Sequence, residues 1–180
     1  MSKIIICGLN GAGKTSLGKI VSAKTDYIHK DIEDYYFSCD NDYKYNKSKD
    51  RQTVIKLLEE DFEKYHNIIL TTCKGNYGCI DKKCNLAIYL KVPKKERIKR
   101  VKERSYKQFK ERVLPNGDFY QQEKKFWSYV MKRSEEEIAN WFESLSCEKI
   151  VLDGTKPLEE NAILITQIIQ TKKKVGAYYE

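Results

Sequence analysis

Gly8-Leu9-Asn10-Gly11-Ala12-Gly13-Lys14-Thr15 decides how the rest of the sequence is read. It matches G-x-x-x-x-G-K-T in full, and its flanks suit it. Upstream, residues 3–7 are a β-branched apolar run, the pattern of a buried strand. Downstream, Leu17, Ile20 and Val21 share one helical face. In such a strand–loop–helix unit the glycines let successive N–H groups turn inward onto a phosphate. The following helix presents its N-terminal dipole to the same anion. Lys14 is then expected to reach the β- and γ-phosphates of a nucleotide, and the Thr15 hydroxyl to ligate Mg2+. The phosphate-contacting set runs through Asn10, Gly11, Ala12, Gly13, Lys14, Thr15 and Ser16.

Outward from the loop, short apolar runs alternate with amphipathic stretches. A brief apolar element at Tyr27-Ile28 leads into Asp31-Ile32-Glu33-Asp34, and residues 38–50 read as a polar, tyrosine-rich loop. Val54, Leu57, Leu58 and Phe62 form a helical stripe interrupted by Asp61. Strands are expected over residues 67–72, 86–92 and 150–152, with a loop over 74–83. A long basic helix is expected over about 94–110, then a turn at Pro115-Asn116-Gly117-Asp118. Trp127, Val130, Met131, Ile138, Trp141, Phe142 and Leu145 keep spacings of three and four, which predicts one second long helix with a core-facing stripe. A final helix is expected over about 157–171. The alternation predicts an α/β fold in three layers around a parallel five-stranded sheet.

The chain has 180 residues, of which 41% are hydrophobic and 33% charged. That is one domain's worth of sequence, residues 1–180, with a lid sub-region expected at about 94–135. No apolar run approaches the length of a membrane span, and the N-terminal apolar run is too short for a signal peptide, so a cytoplasmic protein is expected. Six cysteines are too sparse for a disulfide scaffold, and neither they nor His29 and His66 have the tight spacing of a zinc site. The net charge of +8 suits an anionic ligand without distinguishing nucleotide from nucleic acid or membrane surface.

Within the proteins that carry such a loop, several classes are excluded. No aspartate is followed three positions later by glycine, as a GTPase switch needs, and Asn46-Lys47-Ser48-Lys49 misses the guanine-reading N-K-x-D. The L-S-G-G-Q signature of transporter ATPases is absent. The only apolar run ending directly in aspartate is Ile150-Val151-Leu152-Asp153, at the far end of the chain, so the usual metal-side aspartate is not evident.

Five features remain and span nearly the whole chain. They are the loop Gly8–Thr15; the acids Asp31, Glu33 and Asp34 after the second strand; the stretch Pro93-Lys94-Lys95-Glu96-Arg97-Ile98-Lys99-Arg100-Val101-Lys102-Glu103-Arg104; Arg112 and Arg133 around the Pro-Asn-Gly-Asp turn and a helix; and Asp153-Gly154-Thr155-Lys156-Pro157. With them the sequence resembles the nucleoside-monophosphate-kinase-like P-loop kinases, the superfamily of adenylate, shikimate and gluconate kinases. Its closest resemblance is to small bacterial chains called AAA family ATPases. The resemblance implies a small-molecule kinase that uses ATP and Mg2+. It implies an acceptor-orienting acid at Asp31 or Asp34. Arg100 and Arg104 would contact adenine and phosphates, Arg112 and Arg133 would serve as lid cations, and Gly154, Thr155, Lys156 and Pro157 would lie against adenine. The AMP-site pattern of adenylate kinases and the arginine and glycine-triplet patterns of shikimate kinases are missing. Thr71-Thr72-Cys73-Lys74-Gly75 only loosely occupies the latter position, so the acceptor stays open: a nucleotide, a nucleoside or a hydroxylated metabolite.

The residue types support these roles independently. Phosphoryl transfer needs positioning and charge neutralisation, which carboxylates and arginines supply. Between positions 91 and 112 stand eleven basic residues against three acidic ones, an excess that points to an anion-facing surface. Arg100 and Arg104 share a helical face. Tyr35, Tyr36, Phe37, Tyr43 and Tyr45 either stack on a ligand or pack in core and loop, and Lys74 is a further candidate for an acceptor phosphate. Two other functions remain open on the sequence: an RNA-directed kinase or NTPase drawing on the basic segment, and an ATP-binding regulator without an acceptor.

Overall fold

The computed structural model describes residues 2–37 and 48–176. In chain order the elements are β1 (Ser2–Cys7), α1 (Lys14–Lys24), β2 (Ile28–Asp31), α2 (Ile32–Tyr36), α3 (Arg51–Lys64), β3 (Asn67–Thr72), α4 (Cys79–Lys83), β4 (Leu86–Lys91), α5 (Lys94–Phe109), a 3-10 turn (Lys110–Val113), α6 (Tyr120–Lys132), α7 (Glu136–Ser144), β5 (Glu148–Asp153) and α8 (Leu158–Gly176).

The five strands form one all-parallel sheet in the order β2-β3-β1-β4-β5. A parallel sheet needs helices on both faces, so its central strands are apolar on both sides. Ile4, Ile5, Ile6 and Cys7 of β1 and Ile68, Ile69 and Leu70 of β3 are accordingly all buried. One face packs Ile5, Leu70 and Tyr89 against Val54, Leu58 and Phe62 of α3 and Ile138, Trp141 and Phe142 of α7. The other packs Ile4, Ile6, Ile88 and Leu90 against Leu17 and Val21 of α1 and Ala162, Ile165 and Ile169 of α8. Phe109, Val113 and Phe119 form a small separate core with Trp127, joining α5, the 3-10 turn and α6. The order reverses at β1, so the crevice for a ligand opens at the carboxyl ends of β1, β2 and β3.

Two expectations are corrected. The second long helix is two helices: Arg133 is extended (φ −63°, ψ 125°), and Ser134 Oγ accepts the Glu136 N–H at 3.1 Å to start α7. Trp127 therefore packs in the small separate core, while Ile138, Trp141, Phe142 and Leu145 join the main core. The loop after β3 contains α4. The acids after β2 are ordered by a cap, since Asp31 Oδ1 accepts the Glu33 N–H at 2.9 Å at the start of α2. Tyr43 and Tyr45 lie outside the described residues. Tyr35 is buried with its hydroxyl on Asp61, and Tyr36 lies beneath the Lys74 ammonium.

Candidate functional site

The shape of the phosphate loop rests on its glycine backbone. Gly11 adopts φ 82° and Gly13 φ 96°, conformations that favour glycine. A Cβ on Gly11 would stand 2.3 Å from the Arg97 carbonyl oxygen, so the start of α5 walls the loop from behind. Lys14 is buried, and its ammonium donates to the Leu9 carbonyl at 3.1 Å. One of its three protons is thereby used in placing the group.

Thr15 lies on the first turn of α1, and its hydroxyl donates to Asp31 Oδ2 at 2.5 Å. Asp31 is buried at the end of β2 and also accepts the Thr71 hydroxyl at 2.9 Å. Because Thr15 gives its proton to Asp31, its lone pairs stay available to a cation. An oxygen-only donor set of hydroxyl and carboxylate fits Mg2+.

These groups open into a cavity of about 380 Å³, within the usual range for small-ligand sites. The cavity is lined on the phosphate side by Asn10, Gly11, Gly13, Lys14, Thr15 and Ser16, and on the acid side by Asp31, Ile32, Glu33, Thr72 and Cys73. Arg100, Val101 and Arg104 of α5 line it as well, with Gly154, Lys156 and Leu158. Arg100 also donates to the Gly154 carbonyl at 2.9 Å and pairs with Glu96, which fixes α5 against the loop after β5. In that loop Asp153 Oδ1 accepts the Thr155 N–H and hydroxyl, an Asx turn that sets the Gly154 backbone.

Other expected site residues stand elsewhere. Ala12 is fully buried in the core behind the loop. Asp34 is exposed and does not line the cavity, because α2 begins at Ile32 and its helical rotation turns Asp34 away while Glu33 lines it. Arg112 lies over the Phe119 ring and makes a two-pronged contact with Asp118 across the lid turn, away from the cavity. Thr155 lines a shallow groove on the other side of β5, and Pro157 is exposed. Arg133 does not line the cavity but borders it: its guanidinium donates to Asn10 Oδ1 and the Cys73 carbonyl. Lys74 is engaged with the Tyr36 ring.

Sequence reasoning missed several contributors. Arg97 reads as one more charge in a basic helix, yet it is 2% exposed, bonded to the Val92 carbonyl and paired with Glu135. Arg51 donates to the Gly75 and Asn76 carbonyls and braces the loop after β3. Glu33 reaches the same cavity as Asp31 because the chain leaves β2 at Asp31 and enters α2 at Ile32, a change that strand alternation does not report.

A parallel sheet in this order, a phosphate loop after β1 and an arginine-bearing helix over the crevice define the fold of the P-loop kinases. A family model described as an AAA domain, AAA_18, matches residues 4–138, and the chain belongs to that family. It is 26% identical over 166 residues to "Uncharacterized protein YqaC" of Bacillus subtilis (strain 168), a match covering 87% of this chain and 91% of the relative. Among solved structures, the deoxyadenosine kinase from M. mycoides with bound dATP is similar at TM-score 0.59 and 18% identity, over 93% of this chain and 99% of that one. The shikimate kinase from Acinetobacter baumannii in complex with shikimate is similar at TM-score 0.56 and 15% identity, over 96% and 95%. A sugar kinase from Janibacter sp. HTCC2649 is similar at TM-score 0.53 and 13% identity, over 94% and 95%. No helix among the described residues is long and apolar enough to cross a membrane.

Proposed function

We propose that this protein is a small-molecule kinase that transfers the terminal phosphoryl group of ATP to a hydroxyl of a small acceptor. The observation that carries this reading is the meeting of the phosphate loop, two carboxylates and an arginine pair in one cavity. The amides of residues 10–16 and the Lys14 ammonium hold the β- and γ-phosphates. Thr15 and Asp31 would hold Mg2+, which when bound offsets phosphate charge. Glu33, rather than Asp34, orients the acceptor hydroxyl and takes its proton as the acceptor oxygen bonds to the γ-phosphorus and the bond from phosphorus to the ADP oxygen breaks. Arg100 and Arg104 neutralise charge spreading over the transferring group. Arg133 supports the same region from behind Asn10, and Gly154, Lys156 and Leu158 supply the wall for adenine. The helices between residues 94 and 135 act as the lid that excludes water.

The test is ADP release from ATP with Mg2+ across nucleoside monophosphates, nucleosides, sugars and sugar acids, for wild type beside Lys14→Ala. Strong stimulation by one acceptor, lost in Lys14→Ala, is the expected result. Turnover that persists in Lys14→Ala sinks the proposal.

A further inference from the structure

His29 lies on β2 with no place in the chemistry above, yet α1 and β3 are both shaped around it. It shares a face of the strand with Asp31, two residues on. In the sheet register Asp31 stands beside Thr71, and Thr71 beside Ile6, so all three polar residues lie under α1. His29 Nε2 is 3.0 Å from Thr71 Oγ1. Thr71 Oγ1 is 2.9 Å from Asp31 Oδ2, and that same oxygen receives the Thr15 hydroxyl.

Proton counting gives this chain a direction. Asp31 as a carboxylate only accepts, so the single Thr71 hydroxyl proton goes to it. Thr71 then faces His29 with lone pairs alone, and His29 must donate from Nε2. With Nε2 as an acceptor, Thr71 would have to turn its proton toward the ring. The hydroxyl oxygen would then face the carboxylate with no hydrogen between them. The alternative acceptor for Thr71, the Lys30 carbonyl, stands farther away at 3.4 Å. The imidazole thus selects which way Thr71 points.

The helix makes room for this. Gly18 lies one turn after Thr15 on α1. A Cβ there would be 2.5 Å from His29 Cδ2, 2.8 Å from His29 Nε2 and 2.8 Å from Thr71 Cγ2. Glycine inside a helix costs about 1 kcal/mol relative to alanine. Here it admits an imidazole and a threonine directly beneath the residue that faces the phosphates.

We propose that His29 is a positioning residue that, through Thr71, fixes the Asp31 carboxylate opposite the Thr15 hydroxyl, where the Mg2+ of a bound nucleotide is held. The inference rests on the assignment of Thr15 and Asp31 to that ion. Residues that orient metal ligands from behind typically change metal affinity by about 10–100-fold when lost.

The test is the affinity for ADP with and without Mg2+, measured by calorimetry, which requires neither acceptor nor turnover. His29→Leu is expected to lose about tenfold or more of the Mg2+ enhancement. His29→Gln, which keeps an N–H donor, is expected to restore most of it. Thr71→Val should reproduce the loss, and the His29→Leu/Thr71→Val pair should be no worse than either single change, because both cut one chain. Histidine 15N spectra at mildly alkaline pH should show His29 protonated at Nε2. A role in packing alone would lower the melting temperature while leaving the Mg2+ enhancement intact, and that result overturns the inference. So does an additive loss in the double variant, or a ring protonated at Nδ1. A wild type whose ADP affinity ignores Mg2+ removes the metal assignment and this inference together. The Lys14→Ala turnover assay judges phosphoryl transfer separately.

Discussion

Arg133 and Asn10, 123 positions apart, share a hydrogen bond of 3.1 Å between guanidinium and side-chain amide oxygen. The same guanidinium donates to the Cys73 carbonyl at 2.7 Å. One side chain at the break between α6 and α7 thus ties the phosphate loop to the end of β3.

Arg133→Ala should lower kcat by about 10–100-fold, the loss of charged hydrogen bonds of about 1.5–3 kcal/mol. Arg133→Lys should recover little, because a single ammonium cannot reproduce the two-pronged fork. Steady-state kinetics with the stimulating acceptor read both. A kcat unchanged in Arg133→Ala would show that the tie does no more than join two elements.

Gly11→Ala should abolish tight ADP binding, since the new Cβ meets the Arg97 carbonyl oxygen at 2.3 Å and the backbone sits at φ 82°. The strain alone is worth about 1–3 kcal/mol. Gly78→Ala is the control: its φ is 65°, but nothing lies within 4 Å of the added Cβ. It should lower the melting temperature and leave ADP affinity as it was.

Asp81 accepts from Trp141 Nε1 at 3.0 Å through one oxygen, while its other carboxylate oxygen is buried without a partner. Burial raises its pKa above the ordinary 3.8. The folded state therefore holds the proton more tightly than the unfolded state. The stability this gives is complete below about pH 3.8 and is lost as pH rises through the folded pKa. Asp81→Asn keeps the acceptor for Trp141 and carries no charge. Its melting temperature should exceed that of wild type at neutral pH, and the gain should vanish in strong acid. A gain of equal size at both ends would assign the effect to packing.

Cys73 lines the cavity and is half-buried, whereas Cys7 is fully buried with its thiol pushed up to about 12 by burial. Thiolate is the reactive form. Mapping alkylated peptides by mass spectrometry at mildly alkaline pH should find Cys73 labelled, more slowly with Mg2+ and ADP present, and Cys7 untouched. Equal labelling of Cys73 with and without nucleotide would place the ligand elsewhere.

What could be read from the sequence followed the range of the interactions. The phosphate loop, the centres of β1, β3, β4 and β5, and α5 are set by neighbours within a few positions, through glycine conformations and apolar runs. The break at Arg133-Ser134-Glu135 was hidden because the apolar spacing of three and four continues across it, and the force that bends the chain comes from Asn10 and Cys73. Asp34 stood ahead of Glu33 as the acceptor-orienting acid until Asp31 capped α2 and set its rotation. Arg112 looked like a ligand cation, but Asp118 lies six residues away across a turn whose shape spacing does not reveal. The role of Arg97 depends on its burial by packing, which charge patterning does not report.

The carbonyls of Leu90 and Arg97 crowd Gly8 and Gly11 at 2.6 Å and 2.3 Å from where a Cβ would be. The mould of the phosphate loop is therefore made by residues synthesised some eighty positions after it. β1 likewise waits for β3 and β4, its partners on either side. Closing such long loops is entropically costly and slow relative to helix formation. A nascent chain carrying the complete Gly8–Thr15 motif thus has no formed pocket until α5 has left the ribosome. On the proposed function, nucleotide can act as a folding ligand only at the last stage, when the sheet is closed and the loop has its wall.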